Sequence, residues 1–183
     1  MLAAIRTCFA KYATFSGRAM RPEFWYFTLF LILMEFVLTL VNSALFGPVT
    51  TVYPALDGSG GSYTNQDYNS GWLGTLFTLA TLIPALSVSW RRLHDIGRTG
   101  WWSVIPLALT AITAIVAVAM VVPSFAGGGD VELELTALAG GGLPLLLLGL
   151  GTFVSIIVLI IWYASPGTRG PNPYGPDPRE VSQ

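Results

Sequence analysis

Four uninterrupted apolar runs constrain this chain more than any other feature of its sequence. Each is about 20 residues long, the length a helix needs to cross a hydrocarbon core of roughly 30 Å. The runs do not alternate with the period of two that is typical of strands in a membrane barrel. The sequence therefore predicts four spanning helices, over residues 23–46, 72–90, 101–122 and 142–163.

Composition argues against the alternative that these runs are buried helices of a soluble bundle. Only 10% of the 183 residues are charged, and the mean hydropathy is +0.63. Soluble domains carry roughly 25% charged residues, and their helices need a polar outer face. Beyond Glu23 at the start of the first run, the runs contain one charged residue, Glu35. We expect an all-α fold, an integral membrane four-helix bundle.

The basic residues predict the orientation of this bundle. All nine lysines and arginines fall in residues 1–22, 91–100 and 164–183, whereas residues 47–71 and 123–141 carry only acids. Basic residues mark cytoplasmic loops, so both termini are predicted to be cytoplasmic. Aromatic residues that favour the membrane interface support this at the inner span ends: Trp25, Tyr26, Trp90, Trp101, Trp102, Trp162 and Tyr163.

The segments outside the membrane domain, residues 23–163, have patterns of their own. In the cytoplasmic arm, residues 1–22, apolar residues recur at helical spacing from Leu2 to Tyr12, which predicts an amphipathic helix at the membrane interface. The first apolar run exceeds the 7–15 residues of a signal-peptide core, which favours an uncleaved span. The cytoplasmic tail, residues 164–183, is rich in Pro and Gly, so we expect it to be extended, with Tyr174 as an anchor.

Little in the chain suggests a cofactor or a nucleic acid. Cys8 is the only cysteine, and the acids of residues 130–135 lack the spacing and the glycine of a calcium loop. The Gly-rich outer segments are expected to bend freely and show no metal-ligand spacing. The net charge is −1, and topology accounts for the basic residues. We predict no metal, no cofactor and no nucleic-acid partner.

The stretch "SWRRLHDIGRTGWW", residues 89–102, concentrates charge between two apolar runs. A short inner loop attracts positive charge, which by itself explains Arg91, Arg92 and Arg98. It does not explain His94 and Asp95. Our hypothesis is that the arginines bind anions while His94 and Asp95 hold the loop in shape.

Three stretches resemble a known family. "KYATFSGRAMRPEFWYFTLF" at 11–30, "RRLHDIGRTGWW" at 91–102 and "GTRGPNPYGPDP" at 167–178 resemble, in order and spacing, the signatures of the DUF805 family of bacterial inner-membrane proteins. Met20 and Pro22 depart mildly from the first signature. The resemblance implies a small multi-span protein of the bacterial inner membrane, with no established reaction.

Two classes of activity are weighed against simple binding. An enzyme is the less favoured, because the chain has no nucleophile elbow and no zinc or phosphate motif, and adjacent residues such as His94 and Asp95 rarely point at the same atom. Transport of protons, ions or a solute is the alternative, since Glu35 lies midway along the first span. Polar groups in spans also act as interhelical glue, so packing competes with transport as the role of Glu35.

We favour a non-enzymatic membrane module that binds anionic lipid or partner proteins through its basic cytoplasmic face. Forked guanidinium donors suit phosphate, and basic clusters beside spans attract anionic headgroups. Small residues at helical spacing, such as Gly151 and Ser155, serve either the bundle or a homo-oligomer. The predicted binding residues are Arg18, Arg21, Arg91, Arg92, His94, Asp95 and Arg98.

Overall fold

The computed structural model describes residues 1–54, 62–126 and 131–181. These residues are mostly helical. In chain order the elements are α1 (Leu2–Ala10), α2 (Arg21–Phe46), β1 (Val49–Pro54), β2 (Ser62–Asp67), α3 (Gly71–Asp95), a 3₁₀ helix (Gly100–Val104), α4 (Ile105–Ala126), α5 (Val131–Ala164) and the one-turn α6 (Pro178–Val181).

Four helical segments are long and apolar enough to cross a membrane. They are Arg21–Phe46, Gly71–Asp95, Gly100–Ala119 and Gly142–Ala164. Large apolar side chains along them are exposed, for example Ile115 at 67%. A soluble domain would bury such side chains, whereas a membrane protein presents them to lipid. The predicted all-α class with four apolar helices is confirmed.

The second apolar helix extends further than the sequence predicted. Residues 91–95, expected in a loop, form the last turns of α3, which ends at Asp95. Arg92 and His94 lie in its last turn, where positive charge complements the negative end of the helix dipole. Gly97 follows with a φ of +75°, a left-handed conformation that reverses the chain. The charged residues therefore sit on a helix end rather than on a loop.

Residues 47–71, expected to be an open loop, contain a β-hairpin. β1 pairs with β2 antiparallel, from Val49 opposite Asp67 to Pro54 opposite Ser62. The sequence of β1, VTTVYP, is rich in β-branched residues, which pack well on a pleated surface. The turn between the strands, residues 55–61, lies outside the described residues.

Residues 131–141, expected to be a second flexible loop, belong to α5. Leucine, alanine and glutamate dominate the first nine of them, and these residues have high helix propensity. Residues 127–130 lie outside the described residues, and Asp130 among them is the first acid of the tract weighed as a calcium loop, residues 130–135.

The chain divides into two compact units, and the first comprises residues 1–14 and 22–88. Pro22 occupies the first turn of α2, where a missing N–H costs nothing. Within this unit Phe9 of α1 packs edge-on against Phe27 of α2, with ring centroids 5.6 Å apart. Phe30 of α2 contacts Phe77 of α3 at 6.2 Å. Aromatic contacts thus join the three helices.

The second unit comprises residues 15–21 and 89–183, and in it α4 packs against α5. Its buried apolar side chains include Leu93, Leu159 and Tyr163. Arginines are buried beside them: Arg91 is 1% and Arg92 0% exposed. Because a buried charge is costly unless it is paired and hydrogen-bonded, these residues lead to the candidate site.

Candidate functional site

Asp95 is the centre of the ionic contacts in the second unit. Its carboxylate oxygen Oδ1 accepts from Nε of Arg18 at 3.0 Å and lies 2.9 Å from Nη2 of the same guanidinium. Its other oxygen, Oδ2, accepts from Nη1 of Arg92. The three side chains are at most 6% exposed. We call Arg18, Arg92 and Asp95 the ionic clamp.

Backbone carbonyls of the tail and of the end of α5 satisfy the clamp's remaining donors. Arg18 donates from Nη1 to Gly170 at 2.7 Å and from Nη2 to Thr168 at 2.5 Å. Arg92 donates from Nε to Tyr163 at 3.1 Å and from Nη2 to Ser165. Every guanidinium nitrogen of both arginines therefore has an acceptor. Two cations and one carboxylate leave the clamp with one net positive charge.

The tail also binds the end of α3 through its own backbone and side chains. The carbonyl of Asp95 accepts from the amide of Thr168 at 2.9 Å and from its hydroxyl at 3.1 Å. Gly167 passes so close that a Cβ there would lie 2.1 Å from Oδ2 of Asp95. Only glycine permits this approach, because 2.1 Å is far inside van der Waals contact.

His94 joins the other two signature stretches. Its Nδ1 lies 3.1 Å from the carbonyl oxygen of Gly17, so this nitrogen carries the proton in that hydrogen bond. The imidazole stacks on Tyr174 with centroids 3.9 Å apart and planes 7° apart. The carbonyl of His94 accepts from Nδ2 of Asn172 at 2.9 Å. The residue thus contacts both the N-terminal arm and the tail.

A second acid orders the tail itself. Asp177 is 3% exposed and accepts from Nε of Arg179 at 2.9 Å and from the amide of Gly170 at 3.3 Å. The hydrogen bonds from Arg179 lower the pKa of Asp177 to about 2. The same contact raises the pKa of Arg179. Asp177 therefore stays ionised at physiological pH.

The predicted binding arginines separate into buried and exposed members. Arg18, Arg91 and Arg92 are 6%, 1% and 0% exposed, and their binding of an external anion stays a prediction. Because α3 continues through residues 91–95, Arg92 lies on a helix end and donates to the carbonyls of Tyr163 and Ser165 rather than projecting from a loop. The exposed members are Arg21 and Arg98.

The two exposed arginines lie beside the end of α5. Arg21 donates from Nε to the carbonyl of Ser165 at 2.9 Å. The guanidinium of Arg98 lies over the indole of Trp162, 3.9 Å from the ring centroid. This cation–π contact holds the charge at a fixed position while leaving the residue exposed.

Sequence reasoning missed Thr168 and Asn172 as partners of the central motif. Both are polar residues in a stretch otherwise dominated by Pro, Gly and charge. Their position within the third signature, residues 167–178, was the one feature of the sequence that could have indicated this role. The expected extended tail is instead folded, because Asn172 and Gly175 exchange two backbone hydrogen bonds of 3.0 Å.

Glu35 belongs to the first unit, whereas the clamp belongs to the second. One of its carboxylate oxygens accepts from the hydroxyl of Thr78 on α3 at 2.7 Å. As for metals, the described part of the chain has no cluster of three or more His, Cys, Asp or Glu side chains that could hold one.

Comparisons with known proteins identify relatives along almost the whole chain. The family model described as "Protein of unknown function (DUF805)" matches residues 12–176, which include all the residues of the ionic clamp. Inner membrane protein YhaH of Escherichia coli K12 is 26% identical over 92% of this chain and 90% of its own length. Inner membrane protein YhaI of the same strain is 27% identical over 92% of this chain and 89% of its own length. No solved structure matches the chain significantly.

Proposed function

Since this chain belongs to the DUF805 family and is an integral inner-membrane protein, we propose that it binds anionic lipid headgroups, without catalysing a reaction, through exposed arginines on its cytoplasmic face. The single observation that carries this proposal is the placement of Arg21 and Arg98. Both are exposed beside the end of α5, and within the described residues neither forms an ion pair.

The chemistry of these two side chains suits a phosphate. Arginine presents a planar fork of donors that matches phosphate oxygens, and it is more weakly hydrated than lysine. Basic residues beside a span gain about 1 kcal/mol each from an anionic membrane surface. The clamp supports the proposal by adding a net positive charge and by fixing the tail that carries the partner of Arg21.

The same geometry argues against catalysis by His94 and Asp95. The Asp95 carboxylate is bound by two guanidinium groups, and the His94 ring is held between a backbone carbonyl and the face of Tyr174. A general acid or base must reach the proton it transfers. Two groups engaged in structural contacts fit the proposed holding role better.

The test compares lipid retention by the purified protein in mild detergent. Native mass spectrometry would count bound phosphatidylglycerol and, with the same acyl chains, phosphatidylcholine. Removing two arginines that are each worth about 1 kcal/mol predicts that Arg21→Gln with Arg98→Gln lowers phosphatidylglycerol affinity roughly 10- to 30-fold. Raised salt should produce a similar loss.

The matched control is Arg6→Gln, which removes an exposed charge from α1. It should leave phosphatidylglycerol retention near that of the unaltered protein. Equal retention of the two lipids, or an equal loss in the Arg6 control and the double variant, would contradict a specific headgroup site at Arg21 and Arg98.

Transport is retained as a second candidate because of the contact between Glu35 and Thr78. An ionisable group inside a span often marks a proton or ion path, and its hydrogen bond to a second helix positions it. Glu35→Gln keeps an acceptor for the Thr78 hydroxyl but removes the titratable proton. Proton- or ion-dependent flux in proteoliposomes that this substitution abolishes would establish transport. Absence of flux in the unaltered protein would leave Glu35 a packing role.

A further inference from the structure

An apolar groove runs between α4 and α5 within the second unit. Its volume is about 440 Å³, and its walls include Trp102, Ile105, Leu109, Leu150, Val154 and Trp162. Small-molecule sites occupy roughly 300–1,000 Å³, so the groove has the size of a ligand site. Several wall residues are well exposed, among them Leu150 at 54% and Val154 at 50%.

Small residues of α5 leave the space that forms the groove. Gly151 and Ser155 both line it, and they lie four residues apart, on one face of the helix. A Cβ at Gly151 would have Leu109 of α4 as its nearest neighbour, at 3.9 Å. A larger side chain at this position would therefore extend into the groove without an immediate backbone clash.

One end of the groove is aromatic and positively charged. Trp102 and Trp162 both line it and contact each other edge-on, with centroids 5.2 Å apart. The guanidinium of Arg98 lies on Trp162. Tryptophan favours the headgroup level of a bilayer. The groove thus combines apolar walls in the span with a cation at its interfacial end.

We propose that this groove holds one acyl chain of an anionic phospholipid whose phosphate is bound by Arg98. The proposal rests on the proposed function for its headgroup and adds the acyl-chain site and the class of ligand. A phospholipid fits because its tail is apolar and its phosphate complements the arginine in charge. An apolar helix of a second copy would fill the walls but give the cation no partner.

The experiment compares two glycines of α5. Gly151→Leu fills the groove, whereas Gly149→Leu places the same side chain on the same helix at a position that does not line it and has open space around it. Native mass spectrometry would measure phosphatidylglycerol bound to each variant. We expect Gly151→Leu to reduce retention at least fivefold relative to Gly149→Leu, with equal melting temperatures in lipid-free detergent.

A second arm separates the whole lipid from its headgroup. Glycerol phosphate, which has the anion but no acyl chain, should compete for phosphatidylglycerol poorly, even in large excess. Efficient competition by glycerol phosphate would overturn the acyl-chain site. Should Gly151→Leu fail to fold, Ser155→Leu provides a second filling variant with the same expected loss.

The remaining outcomes distinguish this inference from the proposed function. If the groove-filling variants Gly151→Leu and Ser155→Leu retain phosphatidylglycerol while the Arg21 and Arg98 variants lose it, the lipid binds at the headgroup surface alone. The groove site is then wrong. If Gly151→Leu converts a dimer to a monomer without changing lipid retention, a second copy occupies the groove, and the lipid site is likewise wrong. If the arginine substitutions change nothing, the proposed function fails as well.

Discussion

At the scale of single residues, one carboxylate makes two buried arginines tolerable. Asp95 neutralises Arg18 and Arg92 only in part, and the remaining guanidinium donors depend on backbone carbonyls. Buried ion pairs add little net stability compared with apolar packing, but removing one partner leaves an uncompensated charge. The clamp should therefore be far more sensitive to loss of a partner than its net contribution to stability suggests.

The first prediction concerns Asp95→Asn. Two buried guanidinium groups would lose their counterion, so the free energy of unfolding should fall by about 3–5 kcal/mol. Denaturant unfolding of the purified protein measures this change. Asp67→Asn, at an exposed position of β2, is the matched control and should stay within about 0.5 kcal/mol. Equal stability of the two variants would show that the clamp contributes nothing to folding.

The second prediction concerns Gly167, which lies against the Asp95 carboxylate. Gly167→Ala introduces a Cβ that would lie 2.1 Å from Oδ2 of Asp95. Either the tail or Asp95 must therefore move, and the melting temperature should fall. Gly149→Ala, in open space on α5, should be neutral or stabilising by up to about 1 kcal/mol because alanine favours helix. A melting temperature for Gly167→Ala at or above that of Gly149→Ala would contradict the close approach.

At the scale of elements, the end of α3 and the tail are two halves of one contact surface. Gly97 turns the chain after α3, and the turn formed by Asn172 and Gly175 presents Tyr174 to His94. The end of an apolar helix would otherwise leave polar backbone groups without partners. The turn after α3 supplies donors to the carbonyls of Leu93 and His94, and the tail supplies donors to those of His94 and Asp95, which holds this Pro- and Gly-rich segment in place.

The third prediction tests the stack of Tyr174 on His94. Tyr174→Phe keeps the aromatic face, whereas Tyr174→Ala removes a contact worth about 0.5–1.5 kcal/mol. If the tail opens before it is cut, Tyr174→Ala should be cleaved about 2- to 10-fold faster in inverted membrane vesicles. Tyr174→Phe should match the unaltered protein. Equal cleavage of all three would mean that the stack does not hold the tail.

The elements differ in how far the sequence could predict them. Continuous apolar runs specify spanning helices almost by themselves, because only helices and closed barrels span a bilayer and barrel strands alternate with a period of two. The hairpin of residues 49–67 and the helix over residues 131–141 were missed because glycines in the flanking stretches indicated loops, whereas local propensity favoured strand and helix. Helix α3 was cut short because a run of charge was interpreted as the end of the helix.

The arginine roles could not be predicted for a different reason. Arg92 and Arg98 both sit in the same charged stretch, yet Arg92 is fully buried and Arg98 is exposed. Burial depends on the distant end of α5 and the tail, where the carbonyls of Tyr163 and Ser165 accept from Arg92. Sequence spacing identified the motif. Which of its arginines are buried and which are exposed depends on how the three stretches pack together in the fold.

At the scale of the whole molecule, the basic residues are distributed unequally between the two predicted sides of the four apolar helices. All nine basic residues flank the predicted inner ends of the spans. Such asymmetry sets orientation during insertion. A binding surface for anionic lipid on the same side is consistent with it, since the cytoplasmic leaflet attracts polybasic segments.

The fourth prediction is the orientation itself. In a Cys8→Ser background, Ser62→Cys places a thiol on the hairpin and Thr99→Cys places one between α3 and the 3₁₀ helix; both positions are exposed. A membrane-impermeant maleimide should label Ser62→Cys in cells with a permeabilised outer membrane. Thr99→Cys should be labelled only after the inner membrane is opened. The reverse pattern would place the termini outside the cytoplasm.

The central claim is that buried arginines hold the fold while exposed arginines hold the lipid. The most direct measurement records melting temperature and phosphatidylglycerol retention for Arg92→Gln and Arg98→Gln in one set of preparations. Arg92→Gln should lower the melting temperature in lipid-free detergent, because it breaks a buried ion pair. Arg98→Gln removes an exposed cation–π contact worth about 0.5–1 kcal/mol, so it should lower that temperature far less than Arg92→Gln does, and it should lose phosphatidylglycerol. Full lipid retention by Arg98→Gln, or an unchanged melting temperature for Arg92→Gln, would contradict this division of roles.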